Sequence, residues 1–92
     1  MRKENPMKQL FVVVSRNIDE EVKTVVCEDF IEACATQAGM LVGMPADVVK
    51  NILKKEEILQ IKENIEKVGH DRLANDEEEV YIFWLPERSS MR

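Results

Sequence analysis

The run Val80, Tyr81, Ile82, Phe83, Trp84 and Leu85 places the strongest constraint on this chain: six apolar residues without a polar interruption, closed by Pro86. Its length and its β-branched and aromatic content describe a strand buried on both faces, although by periodicity alone a buried helical segment reads the same way. The run holds three of the five aromatic side chains, so the core has to assemble on it. One other stretch matches it, the Leu-Phe-Val-Val-Val run from Leu10 to Val14. Two such runs within 92 residues predict neighbouring strands of one sheet in a single domain spanning 8–86, with flexible termini at 1–7 and 87–92.

Between these runs the pattern changes period. The first strand is expected from Lys8 to Arg16, followed by a polar turn at Asn17, Ile18, Asp19 and Glu20. A second strand from Glu21 to Glu28 sets Val22, Thr24 and Val26 on one face and Lys23, Val25 and Cys27 on the other, which suits the outer strand of a hairpin with a lysine guarding its edge. Asp29 with Glu32 three residues on is an acidic capping box. Phe30, Ile31, Cys34, Ala35, Ala38, Leu41 and Val42 then recur at helical spacing up to Gly43, a natural left-handed stop. Pro45, with Asp47 behind it, opens a second helix.

From Pro45 to Val68 there is no glycine or proline after the first residue, yet the apolar stripe changes face. At about 100° per residue, Val48, Val49, Ile52 and Leu53 point one way and Ile58, Ile61, Ile65 and Val68 roughly the opposite way. The slip near Lys54–Glu57 predicts a break or kink; the alternative is one helix presenting its halves to two different bodies. Gly69 ends this segment, and 70–79 reads as an acidic loop into the last strand. The expected fold is α+β, a small antiparallel three-stranded sheet (β-β-α-α-α-β) with helices on one face. Two strands apolar on both faces then leave one sheet face bare, which a homodimer would cover.

No motif names a chemistry. Cys27 and Cys34 are seven apart with only His70 as a third soft ligand, too few for zinc, and read as reduced, buried thiols. His70 beside Asp71 has no serine or cysteine nucleophile near it and reads as a surface or helix-capping residue. Gly39 and Gly43 do not have phosphate-loop spacing. No calcium loop, apolar span or export leader stands out, so the expectation is a cytoplasmic protein without enzymatic activity, metal or cofactor, and without direct contact to nucleic acid or membrane.

Charge is the remaining signal. Residues 17–79 carry sixteen acidic side chains against seven basic ones, a net of −9 within a chain whose total is −5. Such a field repels nucleic acid and favours basic partners. The candidate partner-binding set is Asp19, Glu20, Glu21, Glu28, Asp29, Glu32, Asp47, Asp76, Glu77, Glu78 and Glu79. Its bland reading is a solvated surface with helix-capping carboxylates. Its sharper reading is imitation of a nucleic-acid backbone, which presents one charge per ~1.7 Å of duplex axis; a dimer would lengthen the charged surface. Apolar docking through Trp84 and its neighbours, or through the Ile58–Val68 stripe, is the alternative, with charge serving solubility only.

A chain of this length, acidic in its body, with a strand hairpin, a helical middle and a closing apolar strand, resembles the small early proteins by which phages disarm host enzymes. In size and character it is similar to the Arn anti-restriction family of T-even phages, which act as dimeric DNA mimics against a modification-dependent restriction nuclease. That resemblance implies a host nucleic-acid-binding protein, such as a restriction nuclease, as partner, and the host cytoplasm as location. It rests on architecture and charge and carries over no individual residue. The five bases between Lys54 and Arg72 depart from a uniformly acidic mimic.

Overall fold

A computed structural model describes residues 9–86; the termini expected to be flexible lie outside the described residues. The order is β1 (Gln9–Asn17), β2 (Val22–Cys27), α1 (Phe30–Val42), α2 (Ala46–Lys50), α3 (Lys55–Val68), β3 (His70–Ala74) and β4 (Glu78–Pro86). The two apolar runs do pair: β1 and β4 lie antiparallel at the centre of a sheet ordered β2-β1-β4-β3. The α+β class is as expected, but the sheet has four strands. His70–Ala74, expected as loop, forms the second edge through pairs from His70↔Phe83 to Ala74↔Glu79.

Its five residues, His-Asp-Arg-Leu-Ala, have little intrinsic strand preference, so the state of β3 is set by tertiary context. β4 needs a partner on its open edge, and the inward Asp71 finds amide donors: Gln37 Nε2 donates to its Oδ2 (3.0 Å) and Asn64 Nδ2 to its Oδ1. His70 is correspondingly not a helix cap. It starts a strand, half-buried beside the rings of Tyr81 and Phe83, at centroid distances of 6.2 and 5.8 Å.

Strand alternation sorts the sheet into two faces. Phe11, Val13 and Ser15 of β1, Val80 and Ile82 of β4 and Cys27 of β2 are buried on the helical side, where Phe11 meets Phe30 with centroids 5.4 Å apart. The other face carries Val12, Val14, Val26, Tyr81, Phe83 and Leu85, and among the described residues no helix lies over it. Both cysteines are unpaired and buried. Burial, reinforced by the Asp71 charge, pushes the Cys34 thiol up to about 12, so it stays protonated and acts as a small apolar group.

The helical layer follows its caps. Asp29 accepts from Glu32 N (2.9 Å), and Gly43, at φ 77°, closes α1 in the left-handed region. The face change in the next segment resolves as a break. α2 ends at Lys50, Leu53 N bonds back to Val49 O, and Glu57 Oε1 accepts from Lys54 N (3.1 Å) to start α3 afresh. Val49 and Ile65 are buried and Ile58 and Ile61 half-buried, whereas Val68, expected on the same stripe, is exposed.

α1 sits close to its neighbours because its inner face is small, with Ala33, Cys34, Ala35 and Gly39 all buried. Gly39 O accepts from both Gly43 N and Met44 N, and a Cβ on Gly39 would stand 2.4 Å from Met44 O. Alanine inside a helix is ordinarily better than glycine by ~1 kcal/mol. Here the added methyl meets backbone, so Gly39→Ala is expected to lower unfolding stability by about 1–3 kcal/mol. Urea denaturation measures this, and a rise in stability would show that the α1–α2 corner yields.

Candidate functional site

Two turns of similar sequence build the site. Asn17-Ile18-Asp19-Glu20-Glu21 links β1 to β2, and Asn75-Asp76-Glu77-Glu78-Glu79 leads into β4. In the first, Asn17 Oδ1 accepts from Asp19 N (2.9 Å) and Glu21 N (3.0 Å), and Glu20 takes a positive φ of 66°. In the second, Asn75 Oδ1 accepts from Glu77 N (2.8 Å) and Glu78 N (2.9 Å). Each asparagine holds the following backbone in a tight turn and leaves the acidic side chains to point outward. Because Asn17 pairs with Glu78, both turns emerge at the same end of the sheet, where Ile18 N donates to Glu77 O (3.0 Å).

Seven of the eleven candidate acids therefore gather at one pole: Asp19, Glu20, Glu21 and Asp76–Glu79. Five of them, Glu20 and Asp76–Glu79, line a groove of about 350 Å³ together with Arg16 and Arg72. The other four lie elsewhere. Glu28 and Asp29 follow β2 at the opposite end, about 20 Å away along strands that rise ~3.4 Å per residue. Asp29 is occupied as the α1 cap and Glu32 pairs with Lys50 (2.8 Å), while Asp47 lies in the first turn of α2. One molecule thus has an acidic pole and a separate scatter, rather than a continuous ridge.

Within the pole, Glu79 differs from its neighbours. Its carboxylate is largely covered and takes Arg16 on Oε2 (2.5 Å), Arg72 on Oε1 (3.1 Å) and the Tyr81 hydroxyl on Oε1 (3.2 Å). It is engaged inside the chain, so among the described residues the carboxylates without an ion pair at this pole are the other six. The repeated pattern of asparagine followed by acids was present in the sequence; only the β1–β4 register joins the two copies.

Among the described residues no three histidine, cysteine or acidic side chains come together as a metal-holding group, and no helix is long and apolar enough to cross a membrane. The geometry of the described residues defines an α+β domain with an acidic pole and a partly apolar sheet face that none of its three helices covers. No family model, curated protein or solved structure matches this chain.

The clamp has a pH signature. The hydrogen bonds from Arg16 and then Arg72 hold the Glu79 carboxyl below its ordinary 4.5, and the same contacts raise both guanidinium values. A depressed folded-state value means that the contribution to stability is complete above 4.5 and lost as pH falls through the lower, folded-state value. In urea titrations Glu79→Gln should fall below wild type at neutral pH, and the gap should close in acid. A gap that stays constant through the acid range would separate the clamp from acid unfolding.

Proposed function

We propose that this chain is a non-enzymatic inhibitor whose acidic pole occupies the basic, normally nucleic-acid-binding surface of another protein, in the manner of a phage anti-restriction DNA mimic. What carries the reading is the convergence of two asparagine-built turns that hold six carboxylates, none in an ion pair with another described residue, on one end of the sheet. Fixed turns avoid the ordering cost that a disordered acidic tail would meet on binding. Such contacts are made by unlike charges near solvent and weaken as salt screens them.

Homodimerisation belongs to the same reading, because it covers the bare sheet face and doubles the number of poles. Four strands ~4.8 Å apart and about six residues long present about 400 Å² in projection. Even with side-chain relief added, a patch of that extent does not exceed the ~800 Å² of accessible surface per partner of a standard interface, so the dimer is expected to be weak and concentration-dependent. Val26 and Leu85 are 60% and 50% exposed on that face. Lysine at both should leave the monomer folded and shift sedimentation equilibrium to monomer; a wild-type chain that stays monomeric at high concentration removes the dimer.

The inhibitor reading is tested by capture from host extract at low and high salt, followed by measuring the captured protein's DNA binding with and without this chain. Asp76→Lys, Glu77→Lys and Glu78→Lys together should lower low-salt capture at least ten-fold, with Glu79 left in place so that the clamp survives. Release at high salt and loss of the captured protein's DNA binding are the expected results. Capture that ignores both salt and the triple variant would instead favour docking through an apolar surface.

A further inference from the structure

On the helical side of the sheet lies a second feature with its own chemistry. α1, α2, α3 and β3 enclose a cavity of about 730 Å³ that opens to solvent. Its walls are mainly apolar, with Val42, Val49, Leu53, Ile61 and Leu73 among them. Gln37, Asn64 and Asp71 line it as well. That volume falls within the ~300–1,000 Å³ range of small-molecule sites, and a few convergent polar groups in an apolar cleft are their usual composition.

Two of these polar groups are left incomplete. Gln37 is fully buried; its amide nitrogen donates to Asp71 Oδ2 (3.0 Å) and to Val80 O (3.2 Å), but its Oε1 has no partner. Turning the amide over would set that oxygen against a carboxylate and a carbonyl, so the orientation is fixed by its acceptors. Asp71 is 6% exposed, and among the described residues no ammonium or guanidinium lies within ion-pair distance of it. Arg72, the next residue along β3, also borders the cavity, but its guanidinium is drawn away to Glu79 (3.1 Å).

A buried acceptor without a donor costs about 1–3 kcal/mol, and a buried carboxylate held by neutral amides alone is incompletely compensated. Of the two, Asp71 keeps a small exposed surface on the cavity wall, and its carboxylate calls for a hydrogen-bond donor carrying positive charge. Glu56 and Glu57 also line the cavity, so with Asp71 three acidic residues stand on its wall against one basic residue, Arg72. We infer that this cavity is a binding site for a small organic cation, a protonated amine with an apolar body, whose ammonium is held by Asp71, itself positioned by Gln37 and Asn64, while its body lies against the apolar wall.

n-Octylamine, n-octanol and octanoate share one apolar body and differ in head charge, and all three can be titrated into the full chain near neutral pH. Side-chain amide resonances of Gln37 and Asn64 report occupancy in two-dimensional NMR. The amine is expected to saturate, shift both amides and bind at least ten-fold more tightly than the alcohol, with octanoate weaker again. Asp71→Asn should erase the preference for amine over alcohol if that variant folds; the comparison of the three ligands on the wild-type chain decides the matter independently. Equal binding of amine and alcohol would reduce the cavity to an apolar pocket, and absence of binding by all three would remove it as a ligand site; either result overturns the assignment.

Discussion

Everything in this structure depends on the register between β1 and β4. Nine pairs run from Gln9↔Pro86 to Asn17↔Glu78, joining the two ends of the described chain at the centre of the sheet. The same register sends Phe11, Val13, Val80 and Ile82 inward to the helices, sets Arg16 opposite Glu79, and brings both asparagine turns to one end. A slip by one residue would turn every side chain of one strand to the other face, exposing core and breaking the clamp together. Stability and the acidic pole are therefore two results of one constraint.

That constraint also explains how much could be read from the sequence. β1, β4, the hairpin partner β2, the Asp29 cap, the Gly43 stop and the change of face near Lys54 all follow from residues close together in the chain. Local propensity and periodicity are sufficient there. β3 follows from contacts that are not local: Asp71 accepts a hydrogen bond from Gln37, 34 residues earlier, and the strand exists because β4 offers it an edge. The seven acids of the pole were visible as two clusters. Their union was not, because 53 residues of hairpin and helices separate Glu21 from Asn75 and only the sheet brings them together. For the same reason the sequence could not separate Glu79, fastened by two arginines, from the acids beside it.

The two proposed sites use charge in different ways. At the pole the carboxylates keep their hydration, so each loses little by standing near its neighbours, and attraction to a partner is long-ranged and sensitive to salt. In the cavity a single carboxylate has given up water for two amide donors, and any interaction with it is short-ranged and strengthened by the apolar surroundings. Raising the ionic strength should therefore act on one site and largely spare the other, even though both belong to one domain of modest size.

Alternation along β3 keeps these systems apart. Successive residues of a strand face opposite sides, so Asp71 points to the helices while Arg72 points to the face of the clamp, where Glu79 holds it. A guanidinium one position away in sequence is thereby prevented from neutralising the buried carboxylate. The chain could have closed the cavity by placing a lysine where Gln37 or Asn64 stands, giving Asp71 an internal partner. Instead it places two neutral amides there, which can share a carboxylate without cancelling its charge and leave one oxygen unmatched. An internal ion pair would have ended the demand for a cation; this arrangement leaves the Asp71 carboxylate without one on the wall of a cavity that opens to solvent.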